Sequence, residues 1–99
     1  MAKVRWTEGA GLELLGIADL MSDTSASYAE SFLDQVDSAA ALLGDFPKSG
    51  RVVPELFNED FREVIVGPYR LLYRVHGDDV EVMGIVHGAR DLRTYLGGR

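Results

Sequence analysis

The clearest periodicity in the chain is a strand alternation past its midpoint. From Arg62 to Arg74, R-E-V-I-V-G-P-Y-R-L-L-Y-R, apolar and polar positions alternate on both sides of Gly67-Pro68, which predicts a β-hairpin. Gly then Pro fits a type II′ turn, because glycine takes the positive φ and proline stands where no N–H donor is needed. That turn pairs Val66 with Tyr69, Val64 with Leu71 and Arg62 with Tyr73 on one face. Phe61, Glu63 and Ile65 then share the other face with Arg70, Leu72, Arg74 and His76. A second turn at Gly77-Asp78-Asp79 leads into a strand from Val80 to His87. A two-residue loop there places Val80, Val82, Gly84 and Val86 with Tyr69, Leu71, Tyr73 and Val75, whereas a three-residue loop reverses the faces. On the first register the opposite face collects Arg70, Arg74, His76, Glu81 and His87 around Leu72, Met83 and Ile85. Such a mixture suits a partner-binding surface. It also suits the wet face of an ordinary antiparallel sheet, with Glu81 and Arg74 as a cross-strand pair.

Upstream the period changes to that of helices. After a short strand from Lys3 to Trp6, Thr7 is a natural N-cap and Glu8 favours the first helical turn. Ala10, Leu14, Ile17, Ala18 and Met21 make one buried stripe. Asp23-Thr24-Ser25 interrupts it. Ser27 with Glu30 has capping-box spacing, and the second stripe runs Tyr28, Phe32, Val36, Ala39 and Leu43 before Gly44 and Pro47. Two helices joined by so short a turn predict an antiparallel helical hairpin laid on the sheet.

Residues 45–60 show no period and read as a loop, with Val52, Leu56 and Phe57 as apolar pegs and Pro47, Gly50 and Pro54 as breaks. The last segment, G-A-R-D-L-R-T-Y-L-G-G-R, holds a helical turn from Arg90 to Leu96 before a Gly-Gly tail. Leu92 and Leu96 would pack there, leaving Arg90, Arg93 and Tyr95 available. The whole is expected to be one α+β domain over residues 1–99, in the order β-α-α-β-β-β with a short C-terminal helical turn.

Composition narrows the chemistry. The 99 residues are 46% apolar, enough for one core, and no apolar run is long enough to span a bilayer. No membrane association is therefore expected, and the N-terminus lacks the apolar core of a secretory signal, so a cytoplasmic protein is expected. There is no cysteine, which removes disulfides and thiolate chemistry, and two histidines without ligand spacing give no metal site. No cofactor is expected. The net charge of −6 is uneven: residues 1–50 carry three basic and eight acidic side chains, residues 51–99 seven and eight. All seven of the later basic residues are arginines, whose planar forks suit carboxylates, phosphates and aromatic faces. Generic affinity for nucleic acid calls for a positive total, which this chain lacks.

Three separated motifs in order carry a resemblance: F-P-K-S-G-R at 46–51, R-E-V-I-V-G-P-Y-R-L-L-Y-R-V at 62–75 and V-H-G-A-R-D-L at 86–92. Together they resemble the RelE/ParE superfamily of toxins from bacterial type II toxin–antitoxin pairs, a likeness that covers Lys3 to Tyr95. It implies a growth-inhibiting toxin, of a kind tied to plasmid stabilisation, neutralised by a cognate antitoxin in a higher-order complex. Two branches imply different chemistry. The ParE-like branch implies a poison of DNA gyrase that works by binding and is not an enzyme, with Arg70, Arg74, Arg90, Arg93 and Tyr95 facing the target. The RelE-like branch implies an endoribonuclease acting on mRNA in the ribosome, with Arg70 and Arg90 on the scissile phosphate, His87 as general acid or base and Tyr95 near the 2′-hydroxyl. Only Lys3 and Lys48 are lysines, and neither is near the terminal motif. Tyr95 also falls one residue short of the nuclease spacing, and Gly88 and Ala89 stand where a nuclease would carry basic residues, so the ParE-like branch is preferred. In that branch His87 caps the last strand. An antitoxin segment that folds on binding would cover Leu72, Met83 or Ile85, or the outer surface of the helix pair. A third alternative keeps fold and antitoxin but not toxicity.

Overall fold

A computed structural model describes residues 2–97; Met1, Gly98 and Arg99 lie outside it, and with them the end of the Gly-Gly tail. The elements run β1 (Val4–Trp6), α1 (Glu8–Ser22), α2 (Ala26–Asp45), β2 (Arg51–Val52), β3 (Phe61–Val66), β4 (Tyr69–His76), β5 (Asp79–His87) and α3 (Leu92–Gly97). Five strands form one sheet in the order β1-β5-β4-β3-β2. β1 joins β5 in parallel and every other pairing is antiparallel, so the sheet is mixed. The α+β class and the order of strand, helix pair and meander agree with the sequence reading.

Thr7 organises the first turn of chain. Its side chain accepts a hydrogen bond from the Ala10 N–H at 3.1 Å, the expected N-cap, while its own N–H donates to the Val82 carbonyl at 3.0 Å. Ala10 and Ala18 of α1 are buried, with Leu14, Ile17 and Met21 packed behind them, so the stripe lies where its period placed it. α2 starts two residues earlier than the proposed capping box. Ser25, not Ser27, is its N-cap and accepts from the Tyr28 N–H at 3.2 Å. The buried stripe accordingly begins at Ala29 and continues through Phe32, Val36, Ala40 and Leu43, and Tyr28 is left exposed.

The first hairpin has the predicted register, with Gly67 at φ +57 and Val66 opposite Tyr69. The second uses the loop Gly77-Asp78, with His76 opposite Asp79. The predicted faces then hold only halfway along β5. Tyr73 pairs with Val82 and Leu72 with Gly84, so Met83 is an extra residue in β5, a β-bulge. Beyond it the side chains exchange faces. Ile85 joins the helix-side core with Leu71, Tyr73, Val75, Val80 and Val82, and His87 stands opposite Tyr69 on that side. Val86 turns to the far side.

That far side is not an open partner surface. Val53, Leu72, Val86, Leu92 and Tyr95 form a second buried cluster, with Leu56, Phe61 and Leu96 packed against it, so the segment after β2 and helix α3 roof the sheet. Residues 45–60 are correspondingly more ordered than the sequence suggests. Arg51 and Val52 pair with Glu63 and Arg62 as an edge strand, and the buried peg is Val53, not Val52. Phe57, the third proposed peg, points outward at 86% exposure. Gly50 lies under this segment, where an added Cβ would stand 2.6 Å from both the Glu63 carbonyl oxygen and the Tyr73 hydroxyl. Gly50→Ala should therefore destabilise the fold by ~2 kcal/mol or more. Gly11, which has open space around it, should gain up to ~1 kcal/mol when replaced by alanine. Thermal denaturation of the two variants against the parent chain checks both signs.

Candidate functional site

Two places gather the residues singled out by sequence. The first lies beneath the 51–61 segment. Arg70 leaves the middle of the sheet towards the far side, and there it meets two carboxylates. Its Nη1 and Nη2 donate to Glu55 Oε2 and Oε1, both at 2.9 Å, in a two-pronged pair, and its Nε donates to Glu63 Oε1 at 2.6 Å. Arg51 donates from Nε to the other oxygen of Glu63. The Glu63 side chain is wholly buried and that of Arg70 is 9% exposed. Arg70 hydrogen bonds hold the Glu55 carboxyl down to about 2, and the same bonds, with those to Glu63, raise the already high pKa of Arg70. The two arginines and two glutamates neutralise one another, which leaves Arg70 no free edge for a phosphate. Arg74, further along β4 on the same face, lies half-buried with its guanidinium 5.4 Å from the Phe61 ring centre. Glu81 sits opposite Arg74 in the ladder, and its carboxylate lies 3.8 Å from His76 Nε2, a contact that is an ion pair only when the imidazole is protonated.

The second place is a cleft of about 330 Å³ between α1 and the end of the β4–β5 ladder. Glu13, Ile17 and Leu20 form one wall; Tyr69, Ile85, His87 and Arg90 form the other. The Met83 bulge is what brings His87 here, since without it this side chain would face away from α1. His87 stands edge-on to Tyr69, with ring centres 5.5 Å apart, and its Nδ1 accepts the Ala89 N–H at 3.1 Å. It is the strand cap expected of it, and the residue is exposed. Arg90 is exposed, with its guanidinium 4.7 Å from the centre of the Tyr95 ring.

Tyr95 itself is 5% exposed and donates its hydroxyl hydrogen to Glu13 Oε2 at 2.5 Å, so it ties α3 to α1 and is not presented to a target. Arg93 remains on the surface. The three proposed antitoxin contacts separate: Leu72 is buried in the far-side cluster, Ile85 in the helix-side core, and only Met83, at the bulge, is half-exposed. Neither Glu55 nor Glu63 was singled out by sequence, although the placement of Glu63 across from Leu72 and beside Arg70 was already implied by the hairpin register. Among the described residues no cluster of three or more histidine, aspartate or glutamate side chains is placed to hold a metal ion. Among the described residues no helix is long and apolar enough to cross a membrane.

Removing Arg70 would strand the buried Glu63 charge, so Arg70→Ala should cost ~3–5 kcal/mol, while Arg70→Met combined with Glu63→Leu should recover much of that loss in thermal melts. Glu55 gives a pH signature. Because its folded pKa, about 2, lies below the ordinary 4.5, its contribution is complete above pH 4.5 and is lost as pH falls towards 2. A partly exposed pair of this kind is worth ~1–3 kcal/mol. Denaturation of the parent and Glu55→Gln should show a stability gap at neutral pH that closes across this acidic window.

Comparison with known proteins agrees on one lineage. Residues 4–92 match the family described as the ParE toxin of the type II toxin–antitoxin system parDE. The chain is similar to toxin ParE3 of Caulobacter vibrioides, 30% identical over 79 residues that span 80% of this chain and 78% of that one. It is also similar to toxin RelE2 of the same organism, 32% identical over 90 residues, 91% and 99% of the two chains. In fold it resembles a solved structure described as the chromosomal ParDE toxin–antitoxin system from P. aeruginosa, with a TM-score of 0.72, 19% identity and 88% and 96% of the two chains covered. A conserved hypothetical protein from Helicobacter pylori superposes with a TM-score of 0.59 at 15% identity, covering 91% and 98%. With the family matched from β1 into α3, this chain belongs to the ParE toxin family of type II toxin–antitoxin systems.

Proposed function

We propose that the chain inhibits DNA gyrase by binding, without breaking a bond, and that a cognate antitoxin silences it. The observation that supports this reading is the fate of Arg70 and Tyr95. Cleavage of a phosphodiester needs a cation free to meet the charge that develops on phosphate, and a group free to work at the 2′-hydroxyl. Here Arg70 is engaged by Glu55 and Glu63, and the Tyr95 hydroxyl is engaged by Glu13. Both act as positioning residues: Arg70 holds the 51–61 segment on the sheet, and Tyr95 holds α3 on α1. Of the residues expected to face the target, Arg90 and Arg93 remain exposed, and Arg74 lies against Phe61 in the sheet. The antitoxin segment folds as it binds and meets Met83 at the bulge, because Leu72 and Ile85 are reached only by unfolding the cores.

One observation favours the ribosome-dependent nuclease as a second reading. The cleft places the exposed His87 in the same wall as Arg90. The two readings give opposite results in paired assays. Purified chain is expected to block supercoiling of relaxed plasmid by gyrase and to leave mRNA intact on translating ribosomes. Cleaved mRNA with unaffected supercoiling would overturn the gyrase reading, and normal growth during induced expression of the folded chain would point to a relative that only binds antitoxin. The double reversal Arg90→Glu with Arg93→Glu should weaken gyrase inhibition by about tenfold or more, since like charges set against each other at an interface are costly.

A further inference from the structure

The far-side segment that Glu55 clamps to the sheet carries a residue that none of these roles uses. Phe57 is 86% exposed, more than any other large apolar side chain among the described residues, although Leu56 beside it packs against the far-side cluster. It is also the one non-glycine residue among them with a positive φ, +51. A bulky side chain meets a steric penalty in that region, and asparagine would hold the same turn with less strain. The turn is nevertheless firmly tied. The Val53 carbonyl accepts the Leu56 N–H at 3.2 Å, and the Asn58 carbonyl accepts the Phe61 N–H at 3.1 Å. Asn58 Oδ1 accepts the Asp60 N–H at 2.9 Å, and the Asp60 carbonyl accepts the Val75 N–H at 2.8 Å. The Glu55–Arg70 clamp stands just before the turn. A strained but well-anchored backbone thus holds an aromatic ring away from both cores, and strain of this kind gathers where a residue serves a function.

Held this way, Phe57 is built as the aromatic anchor of a binding surface, since a large ring whose position is fixed beforehand enters a pocket at little entropic cost. Charge selects the partner. Residues 52–61 hold three carboxylates and no basic side chain. Glu59 and Asp60 are exposed and take part in no ion pair among the described residues, while Arg51 and Arg70 at the base of the segment are engaged by Glu63 and Glu55. Arg74 lies half-buried against Phe61. The phosphates of a nucleic acid or an anionic bilayer would meet Glu59 and Asp60 with like charge, and a second copy of the chain would bring the same two carboxylates. We propose that Phe57 is the anchor by which the toxin holds its protein target, filling an apolar pocket whose rim carries lysine or arginine opposite Glu59 and Asp60. The proposal rests on the reading that the toxin acts by binding, and it does not require that the target be gyrase.

Growth during graded expression of the full chain alone, with no antitoxin present, reads the anchor without presupposing the target. Phe57→Asn should keep or raise the melting temperature, because asparagine accepts a positive φ, yet at least about tenfold more of it than of the parent should be needed to halve the growth rate. Glu59→Lys with Asp60→Lys, which leaves the ring in place, should lose toxicity by about the same factor by reversing the charge around it. The same proteins assayed for inhibition of gyrase supercoiling separate this proposal from the gyrase reading. Losses in both assays support both; a loss of toxicity when parent and variants are all inert towards gyrase supports the anchor and overturns gyrase as the target. Unchanged toxicity of the folded variants at matched protein levels would overturn the proposal, and this is the result an anchor for the antitoxin would give. Normal growth with the parent chain would overturn it too. So would sedimentation in which the parent self-associates and Phe57→Asn does not, which would assign the ring to a second copy.

Discussion

One extra residue in β5 sets the layout of this molecule. Tyr73 pairs with Val82 and Leu72 with Gly84, so β5 steps past Met83 and resumes its pairing one residue later with its faces exchanged. Before the bulge, Val80 and Val82 reach the helix-side core; after it, Ile85 does, and Val86 is released to the far side. Without that exchange Val86 would stay with the helices, and Leu72 would lack a main neighbour on its side of the sheet. Thr7 meets the strand at this place: its N–H donates to the Val82 carbonyl and its hydroxyl reaches the Met83 carbonyl at 3.4 Å. The residue that caps α1 thus also secures the irregular stretch of β5, and the parallel edge strand is anchored there.

The consequence of a second core is that the sheet needs a second roof, and the roof is held by charge. The segment from Arg51 to Phe61 is short of apolar anchors, with Val53 fully buried and Leu56 partly so. Glu55 and Arg51 compensate by closing on the Arg70–Glu63 pair from either side. Burying a glutamate as completely as Glu63 is tolerable because both of its oxygens accept from arginine. Nearby, the Tyr73 hydroxyl donates to the Pro47 carbonyl at 2.8 Å and accepts the Gly50 N–H at 3.0 Å, and burial pushes its pKa up. The F-P-K-S-G-R stretch is therefore a structural strap over the hairpin.

Much of this was legible in the residues. Alternation placed both hairpins, because Gly67 and Gly77 are the turn positions that need a positive φ and the strands are long enough to show their period. Thr7 gave the start of α1 for a local reason, its side chain capping a residue three positions on. Other features depended on partners distant in sequence. Nothing local marks Met83 as a bulge, and a bulge inverts every face assignment beyond it, which is why Ile85 and Val86 changed places. Val53 and Tyr95 are buried by each other's neighbourhood, not by any period of their own. Tyr95 in particular stands on too short a helix for a stripe to reveal which face is covered, and its hydroxyl partner, Glu13, is far away in the chain. Phe57 shows the reverse case: an aromatic in a loop is a reasonable peg, yet here the chain turns at φ +51 and leaves it outside.

The same geometry changes what a loss-of-function substitution can mean here. In a nuclease, an arginine in the Y-R motif would be the first residue to replace, and lost activity would be credited to chemistry. In this chain Arg70 is the counter-charge of a fully buried glutamate and the clamp on a surface segment. Its loss alters the fold near β2, whatever the toxin does to its target. Tyr95 presents the same ambiguity, since it holds α3 in place. Arg90 and His87 are different, because both are exposed and neither contributes to a core. Substitution of the exposed Arg90 therefore tests function without disturbing a core, as substitution of Arg70 does not. Reading this toxin by substitution begins at the cleft beside α1, with the R-L-L-Y-R strand left intact.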